Sequence, residues 1–375
     1  LFLQKMIDCT VAGGEICTVI DEGVLNTSKG ASLRKYILTN CIIRAVVNLP
    51  AETFKPNKIN VKSSVLYLEK RKEPDFDLED NYRITFCAID SLGYIGSGDK
   101  IRDYDKSVFL EEIKKNVMNH GLGEERKGYH WRAYDVWTNV IAEDLYFRLD
   151  YKYWDPKFKK ELSRLVKEDC PSIKQLNMIV TARGISPSSD CYVDENDGYA
   201  LVVKAGSNIS RFGELVITQD SDWIEKSLYD EYLQRCEENN ENRNIIRKGD
   251  ILLASTGDGT LGKCCVFDKS IPAIADGHVT IIRVDKNVID PYYLADYLRC
   301  GFGSTQISAY YSGSTGLIEL TPEQVDMIIV DTSGNKADID IQKNISKNIR
   351  RTEKKYTAQI EKAEKVIESV EEIWG

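Results

Sequence analysis

The stretch Ile42-Ile43-Arg44-Ala45-Val46-Val47-Asn48, which ends at Leu49-Pro50, decides how the N-terminal part of the chain can fold. Its apolar, β-branched residues predict a buried strand, and the proline marks its end. Further strands are predicted at residues 16–20, 63–68 and 82–89, with helices at 2–9 and 28–39. Near-continuous apolar strands that alternate with helices predict an α/β domain over residues 1–90, built on a mostly parallel sheet covered on both faces.

Length and composition indicate a globular protein of two or three domains. The chain has 375 residues, a net charge of −9 and 42% hydrophobic residues, which argues against wholesale disorder. No apolar run is long enough to cross a membrane, and no signal peptide is recognisable at the start. The acidic balance argues against a surface that coats nucleic acid everywhere, but it leaves room for a local basic groove.

The cysteines and histidines do not form a metal-binding pattern. Ten cysteines are scattered without a C-x-x-C pair, and only three histidines accompany them. Most of the cysteines lie in apolar runs, so we expect buried free thiols in a reducing cytoplasm. The chain starts at Leu1 rather than a methionine, from which we expect a fragment whose upstream part is missing.

The rest of the chain divides into three parts. Residues 91–149, rich in glycine and charge, are interpreted as a connector. Residues 150–338 predict a strand-rich α+β domain, with helices at 156–167, 172–179 and 291–299, the last capped by Asp290. Its strands are predicted at residues 200–204, 214–218, 250–254, 263–267 and 279–284.

Residues 339–375 predict one long helix. Its apolar residues recur at heptad spacing, at Tyr356, Ile360, Ala363, Ile367, Val370 and Trp374. This seam favours a coiled coil, within the chain or with a partner, over a helix packed flat on its own domain.

Two stretches resemble bacterial restriction–modification proteins. The first resembles the C-terminal part of the adenine-N6 DNA methyltransferase domain of type I modification subunits. Its motifs are Gly13-Gly14-Glu15-Ile16, Gly23-Val24-Leu25, Leu33-Arg34-Lys35-Tyr36, Val46-Val47-Asn48-Leu49-Pro50 with Phe54, and Ser64-Val65-Leu66-Tyr67-Leu68. This resemblance implies the last strands of a Rossmann-like fold whose full-length parent uses S-adenosylmethionine.

The second stretch is similar to one half of a type I specificity subunit, that is, one target-recognition domain followed by a spacer helix. Its motifs are Leu149-Asp150, Lys248-Gly249-Asp250-Ile251, Asp276-Gly277-His278-Val279, Gly313-Ser314-Thr315-Gly316, Leu320-Thr321-Pro322 and Ile341-Gln342. A methylase and one recognition domain in one chain resemble the fused type IIG-like enzymes. The resemblance implies double-stranded DNA as a partner, and a homodimer or a modification or restriction subunit bound through the C-terminal helix.

The catalytic signature of that family is absent. The sequence contains no Asn/Asp-Pro-Pro-Tyr/Phe tetrapeptide, the motif that holds a flipped adenine, and Asn48-Leu49-Pro50 is not a version of it. Gly13-Gly14 precedes a strand, whereas a cofactor-binding glycine turn follows one. We therefore predict no catalytic, cofactor-binding or metal-binding residue in this chain, and no methylation by the chain alone.

Three polar loops are candidate DNA contacts. The turn at residues 257–263 would present Ser255, Thr256, Thr260 and Lys263 to phosphates, or it is a plain β-turn; the glycine spacing does not match a nucleotide-binding loop. The loop at residues 181–189 would use Arg183 and Ser186, or it is a plain loop. The third loop would use Tyr311, Ser314 and Thr315, unless the tyrosines are core residues. His278 is interpreted as a structural turn residue.

The start of the last helix is strongly basic. Residues 343–355 contain six basic residues and one acidic residue, Glu353, a local net charge of +5. Lys343, Lys347 and Arg350 are the candidate phosphate contacts, and a solvated helix face is the alternative. Residues 237–241 are interpreted as an exposed acidic loop.

Two hypotheses follow. The first is sequence-specific DNA recognition within an adenine-N6 methyltransferase. The second is a non-catalytic assembly module that uses the heptad helix.

Overall fold

A computed structural model describes residues 1–59, 61–116, 125–176, 180–239, 244–313 and 318–374. The chain divides into two compact units. The first contains residues 1–162 and 309–318, and the second contains residues 163–308 and 319–375. The four-part division expected from the sequence stays a prediction.

The first part of the chain forms helices and strands that are close to those expected from the sequence. Its helices are α1 (Phe2–Cys9), α2 (Glu22–Asn26), α3 (Ala31–Asn40), α4 (Lys106–Asn116), α5 (Thr138–Ala142), α6 (Tyr151–Trp154) and α7 (Pro156–Lys167). Its strands are β1 (Glu15–Asp21), β2 (Cys41–Asn48), β3 (Ser63–Lys70), β4 (Arg83–Ile89), β5 (Arg126–Gly128) and β6 (Trp131–Trp137). Residues 91–149, interpreted as a connector, thus contribute two strands.

The six strands form one sheet in the order β1-β3-β2-β4-β6-β5. Only β2 and β4 are parallel among these neighbours, so the expectation of a mostly parallel sheet is wrong. Parallel neighbours need a long crossover, usually a helix, whereas the described residues between β2 and β3 contain only a short 3-10 turn. The apolar pattern reports burial of a strand but not its direction.

The sheet core and one arginine stabilise this unit. Val46 of β2 pairs with Leu66 of β3 on one side and with Phe86 of β4 on the other, and all three side chains are fully buried. Arg34 is also fully buried and donates hydrogen bonds to the carbonyl groups of Val24, Thr27, Tyr146 and Phe147 at 2.6–3.1 Å. Burial lowers the pKa of Arg34 to about 10. Because its donors are satisfied by carbonyls, Arg34 ties the loops around α2 and α3 to residues 146–147.

The second part of the chain is a mixed α/β assembly with two further sheets. Its strands are β7 (Val180–Arg183), β8 (Ala200–Val203), β9 (Trp223–Ile224), β10 (Ile251–Ala254), β11 (Cys264–Val266), β12 (Ala273–Ala275) and β13 (Val279–Arg283). Its helices are α8 (Lys226–Asn239), α9 (Pro291–Cys300), α10 (Phe302–Tyr310), α11 (Pro322–Asp326) and α12 (Ile339–Trp374). The sheets have the orders β11-β10-β13-β7 and β12-β8-β9.

Several local expectations need correction here. Residues 181–183, interpreted as part of a flexible loop, belong to β7, which pairs with β13. Residues 214–218, predicted as a strand, form only one isolated bridge, between Leu215 and Ile209. Residues 237–239 end helix α8 rather than forming a loop, and residues 240–241 lie outside the described residues. The predicted helix at 172–179 is a 3-10 turn at Ile173–Gln175, and residues 177–179 are not described.

The C-terminal helix is confirmed as one helix of 36 residues. It packs on its own unit through Gln342, whose side chain is fully buried, accepts from the Asp290 amide at 2.9 Å and donates to the Lys336 carbonyl at 2.8 Å. Tyr356, the first residue of the heptad seam, is half exposed. The coiled coil stays a prediction, because the side chains of Ile367, Val370 and Trp374 lie outside the description.

The described cysteines are all free thiols, and five of them are buried: Cys41, Cys87, Cys170, Cys264 and Cys265. Within the described ranges, no helix combines the length and hydropathy that a membrane span requires. The same ranges contain no group of three histidine, cysteine or acidic side chains that could hold a metal ion.

Candidate nucleic-acid interface

The candidate residues of the second unit form two groups, a turn cluster and a basic helix face. The turn cluster, which we define as Arg183, Ser186, Thr256, Thr260, His278 and Glu319, is brought together by backbone pairing. Thr256 bridges to Glu319, and the Ser186 hydroxyl accepts from the Gly277 amide at 3.0 Å. The sequence-predicted loops at 181–189 and 257–263 therefore meet next to His278.

Most polar groups of the turn cluster already have partners. Arg183 forms an ion pair with Glu319 and donates to the Leu320 carbonyl at 2.8 Å. The Thr256 hydroxyl lies 2.5 Å from Nδ1 of His278, and Thr260 donates to the Thr256 carbonyl at 2.6 Å. The cluster is thus hydrogen-bonded within itself, and Glu319 balances the charge of Arg183.

Two further candidate residues, Ser255 and Lys263, are close in sequence to the turn cluster and differ in exposure. Ser255 is fully buried and donates to the His278 carbonyl at 3.2 Å, so its hydroxyl is used inside the fold. Lys263 is half-buried, and no hydrogen bond or ion pair of its side chain is found in the described part of the chain. The strand β11 follows Lys263 directly, whereas a phosphate-binding loop would open a helix there.

The basic helix face, which we define as Lys343, Lys347, Arg350, Arg351, Lys354 and Lys355, lies along one side of α12. These positions recur at three- and four-residue spacing, which places them on the same side of a helix. With Tyr292 of α9 they line an open groove of about 710 Å³. At 1.5 Å per residue, the face is about 18 Å long.

Charge pairing on this face is uneven. Lys343 pairs with Asp340 at 3.2 Å, and the guanidinium of Arg350 stacks 4.3 Å from the ring centre of Tyr292 and lies 3.4 Å from Asp296. Lys347, Arg351, Lys354 and Lys355 are exposed, and no carboxylate pairs with them among the residues described. The acidic residue of this segment, Glu353, contacts Arg299 of α9 instead. Four cations of the basic helix face therefore remain exposed without a carboxylate partner among the residues described.

Tyr311 belongs to the first unit, whereas both of these groups belong to the second. Its phenol oxygen accepts hydrogen bonds from Lys152 and from Lys62, the second at 3.4 Å. Its neighbours Ser314 and Thr315, also candidate DNA contacts, lie outside the described residues.

The two turns that flank β1 differ from the glycine turn that binds S-adenosylmethionine in Rossmann-like folds. The Gly13-Gly14 turn is hydrogen-bonded to both sides of Lys70 at 2.8 Å, so it closes the sheet edge. After β1, the Asp21 side chain caps α2 at the Gly23 amide, and Glu22 is buried against Lys62. Neither turn offers a glycine cradle at the carboxyl end of a strand.

Sequence reasoning missed Lys62, Lys152, Asp296 and Arg299. Each stands in an ordinary sequence context, and its importance comes from a partner far along the chain. Lys62 lies 249 residues from Tyr311, and Arg299 lies 54 residues from Glu353. No local pattern signals such pairs.

Comparison with known proteins supports part of the sequence interpretation. Residues 1–91 match the family model of N-6 DNA methylase. No curated protein matches the chain.

Three solved structures are similar to parts of the chain. The type IIG restriction endonuclease BpuSI is 9% identical, with a TM-score of 0.40, over 93% of this chain and 43% of its own. The HsdS subunit from Thermoanaerobacter tengcongensis is 15% identical, with a TM-score of 0.32, over 54% of this chain and 44% of its own. A modification subunit of a putative type I restriction enzyme from Vibrio vulnificus YJ016 is 17% identical, with a TM-score of 0.26, over 37% of this chain and 27% of its own.

The chain therefore spans less than half the length of each of these three structures. The family match confirms the first of the two resemblances drawn from the sequence, and residues 1–91 are similar to the N-6 DNA methylases.

Proposed function

We propose that this chain is the DNA-recognition part of a restriction–modification adenine-N6 DNA methyltransferase. The observation that carries the proposal is the basic helix face, where four exposed cations have no carboxylate partner within the described ranges. Lysine and arginine side chains of this kind neutralise phosphates and release counterions, which provides most of the affinity for duplex DNA. The match of residues 1–91 to the N-6 DNA methylase family model supports the proposed enzyme class.

Base recognition would come from the turn cluster. Hydroxyl groups of Ser186, Thr256 and Thr260, with Lys263, can contact either phosphates or base edges. Arg183 would have to exchange Glu319 for a guanine edge, which makes its contribution dependent on DNA binding. In this proposal, α12 would provide most of the affinity for DNA, and the turn cluster would provide the sequence preference.

Methyl transfer would depend on residues outside this sequence. The tetrapeptide that holds a flipped adenine is absent from the sequence, and the two turns that flank β1 offer no glycine cradle. We therefore expect the chain alone, with S-adenosylmethionine and duplex DNA, to transfer no methyl group. Methylation by the isolated chain would contradict this part of the proposal.

A salt titration of duplex binding tests the role of α12. The double variant Lys347→Glu/Lys354→Glu should bind a fluorescent duplex more weakly. The negative slope of log K against log salt should become shallower by about 2. The matched control is Lys226→Glu/Arg235→Glu on α8, where each cation already pairs with a carboxylate one turn away. Equal effects of both variants would contradict the proposal.

One observation favours a second function, assembly through α12. Tyr356, the first residue of the heptad seam, is 50% exposed on this helix, so part of its ring is accessible to a second chain. A dimer measured by light scattering, combined with no duplex binding at low salt, would favour assembly over DNA recognition.

A further inference from the structure

We propose that Lys62, Lys152 and Tyr311 form a phosphate-binding site on the first unit, and that it takes a phosphodiester of bound duplex DNA. This inference rests on the proposed function for its ligand, but the site itself follows from side-chain geometry. Its three residues come from distant parts of the sequence, and all of them belong to the first unit.

Two ammonium groups converge on one oxygen. Lys152 donates to the Tyr311 phenol oxygen, and Lys62 donates to the same atom at 3.4 Å. The Lys152 ammonium also lies 4.5 Å from the centre of the Tyr311 ring. A phenol has two acceptor lone pairs and one hydrogen, so both lone pairs are occupied and the hydrogen remains to be donated. No acceptor for that hydrogen is found in the described part of the chain.

The charges at this point do not balance. Lys62 pairs with Glu22 at 3.1 Å, and the Glu22 side chain is 3% exposed. No carboxylate pairs with Lys152 among the residues described. Two cations and one anion leave a surplus positive charge where like charges repel and solvent screening is reduced. An oxyanion would remove this repulsion and accept hydrogen bonds from both ammonium groups and the phenol.

The segment that carries Tyr311 is fixed in place. Asn26 accepts from the Gly313 amide at 3.2 Å and donates to the Gly313 carbonyl at 3.4 Å. Arg148 donates to the Tyr310 carbonyl at 3.0 Å, and the Tyr310 side chain is buried. Tyr311 is itself half-buried, and the Lys62 side chain is 21% exposed. The backbone on both sides of Tyr311 is therefore held in place, and solvent can still reach the site.

The ligand class follows from this chemistry. A phosphodiester carries one negative charge, which matches the surplus charge, and it presents oxygens to several donors. Lysines recognise phosphate as point charges and carry no sequence information, so this site would contribute affinity and position. Free phosphate shares the chemistry, and the test must separate the two sources.

The test compares Lys152→Gln and Tyr311→Phe with Lys72→Gln, an exposed lysine of the same unit. In a salt titration of duplex binding, Lys152→Gln should make the negative slope of log K against log salt shallower by about 1. Tyr311→Phe should weaken duplex binding, Lys152→Arg should retain the wild-type slope, and Lys72→Gln should leave it unchanged. A slope for Lys152→Gln equal to that of Lys72→Gln would overturn the proposal.

A second measurement separates this site from the proposed function and from misfolding. Melting temperatures are taken in sodium phosphate and in sodium chloride of equal ionic strength. Lys152→Gln should melt no lower than the wild type in chloride, because it removes one of two repelling charges. Phosphate should raise the melting temperature of the wild type and of Lys72→Gln by more than that of Lys152→Gln, where only the general stabilising effect of phosphate on folded proteins remains.

If the wild type binds no duplex, the proposed function fails, and the phosphate arm alone decides whether the anion site exists. A rise with phosphate that is smaller in Lys152→Gln, without any duplex effect, would support the anion site and overturn DNA as its ligand. An equal rise in all variants would overturn the site.

Discussion

Arg299 of α9 and Glu353 of α12 form a bidentate ion pair, with Nη1 to Oε1 at 2.5 Å and Nη2 to Oε2 at 2.7 Å. The Arg299 side chain is 3% exposed and also contacts Asp296 at 2.7 Å. The pair joins α12 to its own unit and removes the acidic residue of residues 343–355 from the exposed face. The orientation of the basic helix face therefore depends on this contact.

Removal of Glu353 should destabilise the second unit. Glu353→Ala leaves Arg299 buried without one of its two carboxylates, and loss of one partner of a buried pair costs about 3 kcal/mol. The control is Asp340→Asn, which removes an exposed pair with Lys343 and should cost less than about 1 kcal/mol. Urea unfolding measures both. Equal stability of Glu353→Ala and the wild type would show that the ion pair does not hold α12.

The cap of α9 gives a second stability prediction. The Asp290 side chain accepts from the Tyr293 amide at 2.9 Å, as expected from the sequence. Asp290→Ala should lower the free energy of unfolding by about 1 kcal/mol, because the first turn loses its acceptor. Asp290→Asn keeps an acceptor and should lose less. Equal stability of Asp290→Ala and Asp290→Asn in thermal unfolding would contradict the capping role of the Asp290 side chain.

Lys159 predicts a pH dependence in the first unit. Its ammonium lies 3.6 Å from the ring centre of Tyr153 and 4.2 Å from that of Trp154, and burial lowers its pKa from 10.5 to about 8. The unfolded chain therefore binds more protons than the folded chain between these pH values, so this residue makes stability rise with pH there.

Lys159→Met should accordingly be stabilised relative to the wild type below pH 8, and the difference should shrink as the pH approaches 10.5. Lys157→Met, at an exposed neighbour, should show no such trend. Urea unfolding at several pH values measures the difference. A difference between Lys159→Met and wild type that is constant with pH would contradict the shifted pKa.

Several helix positions could be predicted because their signals are local, although the sequence analysis did not predict α8 and α10. The helix Pro156–Lys167 and the cap at Asp290 match the sequence prediction, and the last helix begins at Ile339 as expected. Strand direction could not be predicted in this way. The apolar residues that flank Val46 in the sequence are compatible with a parallel or an antiparallel sheet. Only the pairing of Val46 with Leu66 and with Phe86 shows the direction of each neighbouring strand.

The candidate interface shows the same difference between local signals and contacts over long sequence distances. Residues 181–183 read as a loop because no local pattern indicates that Ala182 pairs with Ile281 of β13. The basic residues of α12 were evident from the sequence, but the engagement of Glu353 with Arg299 was not. Charge can be counted along a sequence, whereas the choice of partner depends on contacts over long sequence distances.

The central claim, sequence-specific DNA recognition, is tested most directly by selection from random-sequence duplexes, first with this chain and then with the full natural protein. Bound duplexes are recovered at moderate salt and sequenced over several rounds, with the Lys347→Glu/Lys354→Glu variant as the control. The account predicts enrichment of a short sequence motif by the wild type and loss of recovered DNA with the variant. Recovery without enrichment of any motif, even with the full natural protein, would contradict it.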